Sequence, residues 1–128
     1  MLPRKNRVRT PAEFSETLRS GARAGRRNVV VSAHLTDEGL KAGFIVSKAV
    51  GNAVTRNRVK RRLRSAVAEV FAGPLKGHSG AQLVIRALPS SGEADWATLH
   101  AEVTSGIRSA LKKADGAGAT SSATGGRR

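Results

Sequence analysis

The stretch from Lys48 to Arg64, KAVGNAVTRNRVKRRLR, limits what this chain can fold into more than any other. It carries seven Lys or Arg, two Asn, one Gly and no acid. No Asp or Glu occurs between Glu38 and Glu69, so the charge has no local counterweight. Threaded through its second half is an apolar series, Val59, Leu63, Ala66, Val67 and Val70, spaced i, i+4, i+7, i+8 and i+11. That spacing is one stripe of an α-helix. At about 100° per residue, Asn57, Arg58, Arg61 and Arg64 leave the roughly opposite side, with Lys60 and Arg62 on the flanks. The stripe has to be buried against other elements, and the outer face suits a polyanion.

The rest of the chain has to supply that core. Its 128 residues suffice for one domain with a modest interior. A net charge of +14 draws such a domain to nucleic acid or an anionic surface. No apolar run approaches the ~20 residues of a spanning helix, so a membrane partner is not expected. The opening MLPRKNRVR has no apolar signal-peptide region, and the absence of cysteine excludes disulfides and thiolate metal sites. The expected compartment is the cytoplasm.

Three regions are expected. Residues 1–9 form a basic arm, equally readable as a solubilising end, and residues 10–114 a folded, polyanion-binding domain. Residues 115–128 are a Gly/Ala/Ser tail expected to be disordered. Within the domain, Thr10-Pro11-Ala12-Glu13 is a capping-box helix start, and Gly21 ends that helix. Arg23 to Arg27 is a basic linker. Asn28–Leu35 is a strand, Thr36 to Gly39 a turn, and Ala42–Ser47 the antiparallel return of a hairpin. Gly51-Asn52 caps the basic helix, which Gly73-Pro74 breaks. Ala81–Ala87 is a third strand. Trp96, Leu99, Val103, Ile107 and Leu111 make the apolar stripe of a last helix. The order α-β-β-α-β-α predicts an α/β (α+β) fold, a single-domain two-layer sandwich with helices on one face of a small sheet.

Protein-based hydrolysis of a nucleic acid needs a general acid–base pair or clustered carboxylates for metal. His34, His78 and His100 are scattered over a strand end, a loop and a helix, and Glu93 and Asp95 fit a helix start better than a catalytic pair. No catalytic residue and no metal ligand is assigned. Asn52 and Asn57 can both donate and accept, so they suit base edges, ribose hydroxyls or backbone fixing; Asn52 equally suits a plain helix cap. The four aromatics are too few, and too well suited to core positions, for a stacking sheet.

Gly51-Asn52-Ala53-Val54-x-Arg56-Asn57-Arg58-x-Lys60-Arg61-x-x-Arg64, preceded by Val46-Ser47-Lys48, resembles the signature of the bacterial ribonuclease P protein subunit. The similarity extends over roughly residues 4 to 112. It implies an accessory subunit of an RNA-catalysed endoribonuclease that removes the 5′ leader of precursor tRNA. Mg²⁺ would be held mainly by the RNA. The expected partners are the catalytic RNA and precursor tRNA, with no obligate protein partner. The resemblance assigns Asn52, Arg56, Asn57, Arg58, Lys60, Arg61 and Arg64 to the catalytic RNA. It assigns Phe14, Leu18, Ser32 and Lys48 to a leader-binding cleft. Leu18 and Ser32 stand where members often carry aromatics, which makes contact with the leader backbone the expectation. A left-handed βαβ crossover is also implied, against the general right-handed rule. The alternatives are a structural, ribosomal-protein-like RNA binder and a self-sufficient ribonuclease.

Overall fold

In the computed structural model, which describes residues 6–8 and 10–122, the capping box closes as its residue types dictate. The Thr10 hydroxyl accepts from the Glu13 N–H at 3.1 Å, and the Glu13 carboxylate accepts from the Thr10 N–H at 3.2 Å. Helix α1 then runs over Pro11–Ser20. Strand β1 (Ala22–Gly25) follows where a linker was expected. It pairs antiparallel with β2 (Val29–Leu35), Ala24 opposite Val31. Its Arg23 points outward while Ala24 is buried, and four residues with one buried apolar side chain are too few to show an alternation in sequence.

The expected hairpin does not form. Strand β3 (Gly39–Ile45) follows β2 after a short turn, but β4 (Gly80–Ala87) lies between them. The sheet order is β1-β2-β4-β3, with β4 antiparallel to β2 and parallel to β3. β4 is buried at seven of its eight positions, so the centre is the site that hides it best. Entry between the two strands is tight. A Cβ on Gly80, which has φ +157°, would stand 2.7 Å from the Gly39 nitrogen and 2.9 Å from the Thr36 carbonyl oxygen. Only glycine fits that junction.

Between β3 and β4 the chain crosses over through α2 (Ala53–Ala72), making the βαβ unit that the resemblance implied. Asn52 caps α2, its side-chain oxygen accepting from the Thr55 N–H at 2.9 Å. The apolar stripe is the buried one: Val59, Leu63, Ala66 and Val67 are fully inaccessible. Helix α3 (Trp96–Ser122) lies beside it, with Leu99, Val103 and Ile107 also fully inaccessible. These two helices cover the sheet face made by Val29, Val31 and Ala33 of β2 and Ala81, Leu83 and Ile85 of β4. Each such Val, Leu or Ile contributes about 1.5–3 kcal/mol by leaving water. A hydrogen-bonded pair ties β2's start to α3: the Asn28 backbone and side-chain N–H groups donate to Glu102 at 2.8 and 3.0 Å.

Helix α1 lies on the other face, so the helices are not all on one side. Thr17 donates to Gln82 at 3.0 Å, Lys41 pairs with Glu13 at 3.2 Å, and His34 with Glu16 at 3.9 Å. Of the N-terminal arm, residues 1–5 and 9 lie outside the described residues, whereas Asn6–Val8 run along β3. There the Asn6 amide donates to the Leu40 carbonyl at 2.7 Å and the Val8 N–H to the Ala42 carbonyl at 2.9 Å. At the other end α3 continues to Ser122, through part of the segment expected to be disordered; residues 123–128 lie outside the described residues.

Candidate nucleic-acid interface

Burying one stripe of α2 leaves its cations distributed over three directions. Asn57 and Arg61 are exposed, opposite the core. Lys60 and Arg64, one turn apart, are half-buried on the flank beside β3. Arg58 and Arg62, also one turn apart, take the other flank. Arg58 donates to the Gly92 carbonyl at 2.9 Å and Arg62 to the Ala94 carbonyl at 3.0 Å. Both tie down the 3-10 turn Pro89–Glu93 that leads into α3. Arg58 was assigned to the RNA, and its guanidinium also has this structural anchor. Arg56 donates to the Gly51 carbonyl at 3.2 Å, closing the loop before the helix. Asn52 is the cap and is exposed as well. Among the described residues, no ion pair within 4.0 Å joins a Lys or Arg of α2 to an acid. Cations this crowded repel one another and gain most from phosphate.

The flank carrying Lys60 and Arg64 opens on a groove of about 160 Å³, also lined by Arg7, Val8, Phe14 and Phe44. Phe14 packs directly on the sheet because residue 43 is glycine: a Cβ there would stand 2.5 Å from the ring. The helix α2 and the aromatic of α1 therefore meet at one edge of the molecule, around β3. Leu18, one turn after Phe14, is 36% exposed and continues the same side of α1.

Strand alternation locates the remainder of the sheet face that α1 crosses. Gly43, Val84 and Ser32 form one row and lie under or beside the helix. Ser32 is only 2% exposed, so it forms floor and offers a ligand almost no surface. The next row is Ile45, Arg86 and Val30. Arg86 is exposed at its centre, flanked by two half-buried aliphatic residues. Lys48, exposed in the 3-10 turn that follows β3, lies just beyond the end of that strand. Arg86 was missed from sequence. The available signal was the alternation in LVIRA, which turns Arg86 away from the face that buries Ile85.

The three histidines and several of the acids are already engaged. His34 faces Glu16 and His100 faces Glu69 at 2.9 Å, while His78 Nδ1 accepts from the Gly80 N–H at 3.0 Å. Asp95 caps α3: the Thr98 N–H at 2.7 Å, then the Thr98 hydroxyl and the Arg62 charge, hold its carboxyl below the usual range. Trp96 departs from the expected core stripe and is 37% exposed beside Arg61 and Arg62.

This arrangement has relatives. The sequence pattern of the family described as Ribonuclease P matches residues 2–112. The ribonuclease P protein component of Kocuria rhizophila is 52% identical over 114 residues, covering 88% of this chain and 98% of that protein. That of Micrococcus luteus is 51% identical over 122 residues, covering 88% and 92%. Among solved structures, the RNase P protein of Staphylococcus aureus superposes with a TM-score of 0.64 at 24% identity, covering 85% of this chain and 94% of the other. That of Thermotoga maritima gives 0.62 at 20% identity, covering 76% and 90%. The structures speak for the fold; the sequence matches, spanning almost the whole of their own chains, speak for more. The α2 motif, the sheet order and these matches agree, and the chain belongs to the ribonuclease P protein family.

Proposed function

We propose that this protein works by holding two RNAs at once: the catalytic RNA of ribonuclease P on α2, and the 5′ leader of precursor tRNA on the sheet face beside α1. Membership in the family makes it the protein component of ribonuclease P, a ribonucleoprotein nuclease of tRNA processing with an RNA subunit. The division of labour is the proposal. The observation that carries it is α2 itself, whose one face is sealed in the core while, among the described residues, none of its Lys or Arg side chains forms an ion pair within 4.0 Å.

In this reading Asn57 and Arg61 meet the catalytic RNA, with Asn52, Arg56 and the exposed part of Arg58 beside them. Lys60 and Arg64 stand between that surface and the groove of Phe14. The leader lies along Phe14, Leu18, Arg86 and Lys48. Its phosphates are drawn by the cations, and its bases meet an apolar surface with one aromatic ring. Ser32 contributes shape from below. Contacts of this kind bind a strand with little regard to sequence, which suits leaders of differing sequence.

Cleavage is assigned to the RNA, with Mg²⁺ held there. Among the described residues no three His, Asp or Glu side chains gather into a metal-binding group. The protein would act on affinity: its cations offset phosphate repulsion that Mg²⁺ otherwise has to screen.

Reconstitution with the cognate RNA tests this. At low Mg²⁺ the holoenzyme should cleave precursor tRNA faster than the RNA alone, and the advantage should shrink as Mg²⁺ rises. It should also be larger for substrates with a leader of several nucleotides than for a one-nucleotide leader. Equal cleavage by RNA alone at low Mg²⁺ would overturn the reading.

A further inference from the structure

We propose that Trp96 is a second RNA contact, a stacking surface for an unpaired base of the RNA subunit, on the flank of α2 opposite the Phe14 groove. This rests on the RNA-binding role proposed above. Trp96 has the spacing of a core residue, yet Leu99, Val103 and Ile107 in the same series are fully inaccessible while Trp96 is 37% exposed. The indole is held in place rather than loose. His100, one turn later, sets its ring 5.4 Å from the indole at an interplanar angle of 58°. The His100 ring is itself fixed by Glu69 of α2 at 2.9 Å. The backbone entering α3 is held from the same helix, through Arg62 on the Ala94 carbonyl at 3.0 Å.

The ring lines a shallow, open groove of about 430 Å³ together with Arg61, Arg62, Ser65 and Glu69 of α2. A flat π surface beside an exposed guanidinium fits a nucleotide: the base stacks on the indole while Arg61 meets its phosphate. A second copy of this chain is a poor occupant, since two molecules of +14 repel each other. An apolar peptide would have to desolvate the arginines. Arg61 also belongs to the face already assigned to the RNA subunit, so a strand leaving that face reaches Trp96 without crossing the helix. The same helix is thereby flanked by an aromatic on each side, Phe14 for the leader and Trp96 for the RNA subunit.

The chain has one Trp and no Tyr, so tryptophan emission reports on this site alone. Titrating the full-length protein with the RNA subunit, without substrate, should quench that emission with the same midpoint as a mobility shift. Trp96→Ala should weaken binding of the RNA subunit about 5- to 100-fold with an unchanged salt slope, because every cation that meets a phosphate is still in place. Trp96→Phe should restore most of the affinity, and the preference for long leaders should be the same in all three proteins. Emission that does not change while the RNA is bound overturns the proposal and leaves the proposed function standing. Absence of RNA binding overturns both. Emission that depends on protein concentration without RNA gives the surface to a second copy instead. If Trp96→Ala does not fold, the quenching of the natural protein decides.

Discussion

Arg58 and Arg61 leave α2 about 60° apart, and that difference separates two kinds of energy. The Arg58 guanidinium is part-buried and donates to the Gly92 carbonyl at 2.9 Å, whereas Arg61 is exposed. Replacing both at once would confuse assembly with stability; replacing each alone distinguishes them. Arg61→Ala should leave the melting temperature within error and weaken RNA binding. Its log–log salt dependence should become shallower by about 0.7–0.9 for each phosphate that is no longer neutralised. Arg58→Ala should lower stability by on the order of 1 kcal/mol, because the Gly92 carbonyl is deprived of a charged donor. Thermal melts and salt titrations of both variants check this, and equal melting of the two would show that the Gly92 hydrogen bond carries no weight. Spacing placed both residues on the polar side of the helix. It could not show that a carbonyl 34 positions later in the chain would claim one of them.

At the scale of elements, the termini of strands and helices are where single residues decide the outcome. The central placement of β4 depends on the junction at Gly80. Gly80→Ala should destabilise the protein by about 1–3 kcal/mol, from a strained backbone and a clash with backbone atoms that cannot yield. Unfolding in urea measures it, and an unchanged midpoint would mean that the junction relaxes freely. The start of α3 depends on Asp95, whose carboxyl is held below its ordinary value by the Thr98 N–H and then the Thr98 hydroxyl. A lowered carboxyl pKa adds stability that is complete above the unfolded value, about 3.9, and is lost as pH falls through the lower folded value. Asp95→Ala should therefore melt below the natural protein at neutral pH, and the gap should close as pH falls below about 4. A gap that persisted at pH 2 would assign the effect to packing. The hairpin expected between β2 and β3 was the reading of two neighbouring strands joined by turn residues, the commonest connection there is. Local chemistry bends the chain at Thr36 to Gly39 in either case; what it cannot encode is that a strand more than 30 residues later inserts between the two.

For the whole molecule, salt should act with opposite signs on stability and on assembly. The free protein carries +14 with few acids to offset it, so screening relieves its self-repulsion. The RNA complex loses the entropy of counterion release as salt rises. Raising monovalent salt from ~50 to ~200 mM should thus raise the melting temperature of the free protein and weaken RNA binding; a melting temperature that falls would contradict this. What the sequence determined by itself was whatever depends on residues a few positions apart. That covers both faces of α2, the Thr10 and Asn52 caps, the core stripe of α3 from Leu99 onward, and the excess of positive charge that calls for a polyanion. Those are periodicities, side-chain chemistries and sums, and all are present before the chain folds. Tertiary structure alone decided that β4 enters between β2 and β3, that α1 lies on the opposite face from α2 and α3, and that Phe14 meets Lys60 and Arg64 around one strand. It also turned Trp96 out of the core toward Arg61 and drew Arg58 inward to Gly92. The physical reason is the same in each case: these are meetings of segments distant in the chain. The packing that buries the most apolar surface selects them, and each segment read alone permits several.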